Sequence, residues 1–153
     1  MHPTERAQFA NKLIVVERDR FKLTLYRRKP DLVEAEVALR YQVAIGTRFH
    51  RTPKMMSIVD TKDASPSWTM PNSDWVRDAG LVPGTVLDDD DPNNPIKARW
   101  IGISNPGNGI GIHGTADDES IGKKASHGCI RMHVWDVEEL FSAVPLGTLV
   151  YID

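Results

Sequence analysis

Residues 12–26, KLIVVERDRFKLTLY, decide the fold class. Lys12 to Glu17 holds the apolar run Leu13, Ile14, Val15 and Val16, and Phe21 to Tyr26 alternates Phe21, Leu23 and Leu25 against Lys22, Thr24 and Tyr26. Apolar and β-branched residues at a period of two fit strands with one buried face. The Asp19-Arg20 pair between the runs is short enough for a hairpin. Working outward, Ala35 to Ile45 puts Val37, Leu39, Tyr41, Val43 and Ile45 on one expected face, and Gly46 ends that run. Met56–Thr61, Arg99–Ile103 and Gly109–His113 read as further strands, and Leu149–Ile152 as the last. One helix is signalled: Val137, Leu140, Phe141 and Val144 fall at i, i+3, i+4 and i+7. Asp136 with Glu139 three positions on resembles a capping box, and Pro145 and Gly147 stop the helix. The expectation is one mainly-β domain over residues 1–153, with a single helix in its C-terminal half.

Between the early strands and Arg99 lies an irregular stretch, residues 63–98. It contains Pro66, Pro71, Pro83, Pro92 and Pro95, and it carries Trp68 and Trp75. A turn-rich segment of this length inside a domain is commonly a functional loop, so it is expected to cover a cleft. The two tryptophans read as loop anchors in preference to substrate platforms. Its acidic run, Asp88 to Asp91, reads as a solvated loop, because it lacks the alternating ligands and turn glycine of a calcium loop.

Composition excludes several functions. The chain has 153 residues, 41% hydrophobic and 26% charged, which is enough apolar material for a core. A net charge of -2 gives no strong pull toward nucleic acid. No run approaches the roughly 18 apolar residues of a membrane span, and Met1 to Arg6 has no apolar run of signal-peptide type. The single cysteine excludes an internal disulfide and is either a buried small residue or a reactive thiol.

Its neighbours point to reactivity. Gly109-Ile110-Gly111-Ile112-His113-Gly114-Thr115 is followed by Ala125-Ser126-His127-Gly128-Cys129-Ile130-Arg131-Met132. A thiol of ordinary pKa is only a few per cent thiolate near neutral pH, and a nearby imidazole can hold the pair as thiolate–imidazolium. His113 precedes Cys129 by 16 positions. That spacing suits a strand ending at His113, a loop, and a return beside it. The imidazole needs a partner to fix its tautomer, and the carbonyl of Gly114 is the candidate. Gly128 permits a tight turn that presents amide N–H groups near Cys129 to one point, as an oxyanion requires. Ser126 is either a hydrogen-bonder of the turn or a substrate contact, and His127 either lines the oxyanion region or positions the loop. Arg131 shares a face with Cys129 if the stretch is extended, and it could hold a substrate carboxylate or make a structural ion pair. His50 and His133 read as surface residues. His113, His127, Cys129 and His133 lack the paired spacing of zinc ligands, so no metal and no cofactor are expected.

His113, the run Ser126-His127-Gly128-Cys129 and Arg131 together resemble the active-site signature of the L,D-transpeptidase catalytic domain, also called YkuD-like. The spacer from Gly114 to Ala125 is slightly shorter than the family's. Thr52-Pro53, Trp68-Thr69-Met70-Pro71 and Asn94-Pro95 leading into Arg99-Trp100 extend the resemblance across roughly residues 12–153. The resemblance implies a β-sandwich-like fold with a cleft over the cysteine. It implies acyl transfer on peptidoglycan stem peptides in the bacterial cell envelope, with Cys129 as nucleophile and His113 as base. Carbapenem-type β-lactams would then acylate the same thiol. Water as acceptor would make the chain an L,D-carboxypeptidase or cysteine peptidase, and loss of activity would leave a wall-binding module.

Overall fold

A computed structural model describes residues 11–28, 35–103 and 109–153; the expectation for Met1 to Arg6 lies outside the described residues. The first hairpin pairs β1 (Lys12–Glu17) with β2 (Lys22–Arg28), and a 3-10 turn at Arg18–Arg20 joins them. There follow β3 (Ala35–Gln42), β4 (Ile45–Gly46), β5 (Met55–Asp63) and β6 (Trp68–Thr69). A short helix, α1 (Asp74–Asp78), leads to β7 (Val86–Leu87), β8 (Lys97–Ile103), β9 (Gly111–Thr115), β10 (Lys124–Ser126) and β11 (Ile130–His133). The chain ends in α2 (Val134–Ala143) and β12 (Leu149–Ile152).

Eight strands form one mixed sheet in the order β11-β9-β8-β5-β12-β1-β2-β3. A bulge in β5 between Val59 and Thr61 marks where the half holding β12, β1, β2 and β3 meets the half holding β8, β9 and β11. A bulge bends its strand and sharpens its twist, so the two halves turn toward each other in a sandwich-like arrangement. Ile14, Val16, Leu23, Val59, Val150 and Ile152 from one half join Ile101, Ile103, Ile112, Ile130 and Met132 from the other in a single buried cluster. Val137 and Leu140 of α2 close it. Each such side chain contributes about 1.5–3 kcal/mol of hydrophobic stabilisation relative to exposure.

Several expectations shift by local geometry. Val37 does not share the buried face of Leu39, Tyr41, Val43 and Ile45: it is 47% exposed. A bulge is the cause, since Leu25 pairs with Leu39 while Tyr26 pairs with Val37, leaving Ala38 extra and reversing the alternation. The strand read as Gly109–His113 is Gly111–Thr115, because Gly109 sits at φ 58, outside the extended region. α2 begins at Val134, with His133 as N-cap and no capping side chain. The expected capping box is therefore absent, and Glu139 instead accepts a hydrogen bond from the Tyr41 hydroxyl at 2.7 Å. Residues 63–98 are not wholly irregular: α1 and the β6–β7 ribbon lie inside them, so α2 is not the only helix. Asn94 stitches this segment. It is fully buried, donates to the Pro66 and Asp88 carbonyls and accepts from the Ile96 amide.

Gly114 in β9 lies under α2. A Cβ there would stand 2.5 Å from the Lys97 carbonyl oxygen and 3.1 Å from Val137. Gly114→Ala is therefore expected to destabilise the fold by about 1–3 kcal/mol through overpacking. Thermal unfolding should show the melting temperature falling by roughly 2–4 °C for each of those kcal/mol; an unchanged midpoint would contradict the close packing.

Candidate active site

Parallel pairing of β11 with β9 assembles the site. The register sets Ile130 beside Ile112, Arg131 beside His113 and Met132 beside Gly114. Carried one step back, it sets Cys129 beside Gly111. Paired residues of neighbouring strands point to one side of a sheet, and alternate residues of a strand share a face. Ile112, Ile130 and Met132 take the core side. Cys129, Arg131, Gly111 and His113 take the other. The structure thus brings together the cysteine, histidine and arginine that the sequence singled out.

Each group is held by its neighbours. His113 is 5% exposed, and its Nδ1 lies 2.8 Å from the Gly114 carbonyl oxygen. A carbonyl only accepts, so Nδ1 carries the proton and the neutral ring keeps its lone pair on Nε2. β8 makes room for this bond. Lys97 pairs with Gly114 and Trp100 with His113, so Ala98 and Arg99 bulge between them, Ala98 at φ 66. Trp100 stacks on the His113 ring, with centroids 5.9 Å apart. Its indole fills the space a side chain at Gly111 would need, since a Cβ there would meet it at 2.4 Å.

The turn that carries Cys129 is tied from both ends. The buried Ser126 hydroxyl donates to the Cys129 carbonyl at 2.5 Å and accepts from the Gly128 amide at 3.2 Å. Ser126 is thus a turn hydrogen-bonder. Gly128 sits at φ 124, a conformation side chains rarely adopt. Its carbonyl accepts from the buried Thr52 hydroxyl at 2.8 Å, and Thr52 in turn accepts from the Gly46 amide. Cys129 remains partly accessible, with Sγ 3.6 Å from the Gly109 carbonyl oxygen.

Electrostatics favour a neutral resting pair. Burial raises the Cys129 thiol above its ordinary value, while a hydrogen bond from the Gly111 backbone and the Arg131 charge act the other way. Burial lowers His113 to about 4; the Gly114 hydrogen bond opposes the shift and Arg131 adds to it. The thiolate–imidazolium form that a nearby imidazole can support is disfavoured here, because desolvation penalises both ions. Among the described residues no carboxylate forms an ion pair with Arg131, which disfavours the structural-ion-pair alternative there. No cluster of three His, Cys, Asp or Glu side chains suited to a metal occurs among them either.

Residues that sequence reasoning set aside also reach the site. His127 is exposed, and Trp75 of α1 stacks on it at 4.1 Å, with Trp68 stacked on Trp75 at 6.4 Å. His50 meets the His127 ring edge-on at 4.7 Å. The 63–98 segment thus roofs the nucleophile turn through an aromatic column. His50 is exposed, as expected, yet it belongs to this column. His133 is elsewhere, 2.9 Å from an Asp118 carboxylate oxygen and stacked on Trp135. Thr52 and Trp100 entered only through the family resemblance and Trp75 as a loop anchor, and spacing gave no signal for His50, because these contacts are made between distant segments.

The thiol's raised pKa has a kinetic consequence. Alkylation of Cys129 by iodoacetamide should accelerate with pH up to and beyond 9, because the thiolate fraction is still growing there. A rate that levels off by about pH 7 would show a preformed thiolate and contradict the neutral pair.

Comparison with known proteins agrees with this geometry. The family model of the L,D-transpeptidase catalytic domain matches residues 11–152. The chain is 37% identical over 115 residues to YqjB of Bacillus subtilis, a match covering 73% of this chain and 57% of that protein. It thus spans little more than half the length of that relative. By fold it is similar to the catalytic domain of the Enterococcus faecium L,D-transpeptidase, with a TM-score of 0.67, 24% identity, and 94% of this chain and 97% of that chain covered. It is also similar to L,D-transpeptidase 3 from Mycobacterium tuberculosis in complex with a faropenem-derived adduct, with a TM-score of 0.66, 17% identity, and 94% and 60% covered. The chain belongs to the L,D-transpeptidase catalytic domain family.

Proposed function

We propose that residues 12–153 act as one catalytic domain that transfers peptidoglycan stem peptides by a cysteine acyl-enzyme route in the cell envelope. The observation that carries this reading is the register placing Cys129 and Arg131 on one face with a His113 whose Nδ1 is fixed on Gly114. The family match supports the substrate class. The cysteine attacks the carbonyl of the meso-diaminopimelate-type residue of a tetrapeptide stem, at its amide bond to the terminal D-alanine. As the S–C bond forms, the thiol proton passes to Nε2 of His113. The charge collecting on the carbonyl oxygen meets the backbone amide of Cys129. The Gly128 amide is committed to the Ser126 hydroxyl and is not the main donor. Collapse breaks the C–N bond, and the imidazolium returns its proton to the departing D-alanine. An amine of a second stem then attacks the thioester, giving up its proton to His113 and releasing the thiol and a 3→3 cross-link.

The low proton affinity of His113 fits this sequence. An imidazolium is unfavourable in the empty site, and it is stabilised once the thiolate or oxyanion beside it is negative. Arg131 favours both anions and stands ready for a substrate carboxylate. His127, held against Trp75, shapes the wall beside the nucleophile. β-Lactams, carbapenems among them, are expected to acylate the same sulfur; the faropenem-derived adduct of the mycobacterial structural neighbour, a penem adduct, supports the β-lactam class.

Incubation with a tetrapeptide stem and a second stem as acceptor, read by mass spectrometry, tests the proposal. The expected product is the cross-linked dimer with loss of D-alanine. Tripeptide alone would assign carboxypeptidase action, and no turnover with no carbapenem adduct would assign a wall-binding module. Cys129→Ala should abolish both adduct and product. His113→Ala should slow acylation by about a hundredfold or more; an unchanged rate would remove it as base.

A further inference from the structure

A second cavity lies behind the nucleophile turn. It has a volume of about 500 Å³ and is floored by Ile45, Gly46 and Lys124 of the paired β4 and β10. Five of its lining side chains are Arg or Lys and two are Asp, although the chain as a whole carries a net charge of -2. Two of these cations are already engaged. Arg18 donates to the Thr52 and Asp153 carbonyl oxygens, at 2.8 and 3.0 Å, and Lys54 lies 3.8 Å from the Asp153 carboxylate. Arg48, Arg51 and Lys124 form no ion pair among the described residues, and Asp19 is the remaining carboxylate of the lining. Carbonyl oxygens leave the Arg18 charge in place, so the lining side chains carry three more positive charges than negative ones, and Arg48, Arg51 and Lys124 are the cations without an ion-pair partner.

We propose that this pocket binds a phosphate-class polyanion at a site distinct from the face that carries Cys129. A single carboxylate would neutralise one of these charges and, being planar, would meet one guanidinium fork. Two linked phosphate groups supply at least two charges, and their tetrahedral oxygens reach several donors at once, which suits Arg48, Arg51 and Lys124 together. The 46–52 loop separates the pocket from the turn that carries Cys129. Thr52 faces both ways: its carbonyl accepts from Arg18 on the pocket side, and its hydroxyl donates to the Gly128 carbonyl on the other. The Thr47 amide donates to the Ser126 carbonyl from the same loop. A ligand here sits one loop away from Cys129 without touching it. This inference is independent of the acyl-transfer reading.

Calorimetric titration of the whole chain at low salt tests it, with inorganic pyrophosphate and a short glycerol-phosphate oligomer as separate probes. Saturable binding of at least one is expected, with at least tenfold weaker affinity in the doubly substituted Arg51→Gln, Lys124→Gln protein. Both side chains are exposed, so this variant should fold, as circular dichroism would verify. Cys129→Ala and Arg131→Gln should bind like the parent. Tighter binding of pyrophosphate assigns a free anion, and tighter binding of the oligomer assigns a polymeric phosphodiester. The proposal is overturned if neither probe binds, if the double variant binds undiminished, if Arg131→Gln loses binding, or if a tricarboxylate binds as tightly.

Discussion

The parallel pairing of β9 with β11 is the constraint on which the site depends. Sequence distance separates His113 from Cys129, and only this register sets both on the face opposite the core. The pairing is enforced from below, because Ile112, Ile130 and Met132 must reach the cluster under α2. A slip of one residue would bury Cys129 and Arg131 and expose the isoleucines. Hydrophobic burial therefore fixes the geometry of the polar groups. Close approach does the rest: Gly111 admits the Trp100 indole and Gly114 admits the Lys97 carbonyl.

Burial also sets the proton inventory. Desolvation by burial disfavours the imidazolium and the thiolate alike, so His113 falls to about 4 and Cys129 rises. A site resting neutral does not need a permanent ion pair to be reactive. It needs a base in the right tautomer and a place for negative charge when the substrate arrives. The Gly114 carbonyl provides the first by holding Nδ1–H. In the proposed reaction, Arg131 and the Cys129 amide provide the second. The aromatic column of Trp68, Trp75 and His127 ties the 63–98 segment to the turn before Cys129.

Much of this was legible in the sequence, and the physical reason is periodicity. The hairpin from Lys12, the α2 stripe of Val137 and Leu140, and the last strand at Leu149 follow from residues that bury every second or every third to fourth position. The family resemblance rested on residues that lie together because Ser126, Gly128 and Cys129 form one local turn. What stayed hidden depends on breaks in period or on contacts between distant segments. The bulge at Ala38 reverses the face of Val37 with no mark in composition. The five residues of α1 are too few to show a helical stripe. Trp75 meets His127 across more than fifty positions, and Thr52 reaches Gly128 from a loop whose only visible feature is a Thr-Pro pair. The thiolate–imidazolium form was not excluded there, because sequence reveals which groups are near, and burial decides their charge.

The account turns on a buried, neutral His113 with its proton on Nδ1. Long-range proton–nitrogen NMR correlation of the imidazole, followed through a pH titration, observes this directly. The predicted result is a ring protonated on Nδ1 alone at neutral pH and titrating near 4. A ring protonated on Nε2, or carrying both protons at pH 7, would contradict it.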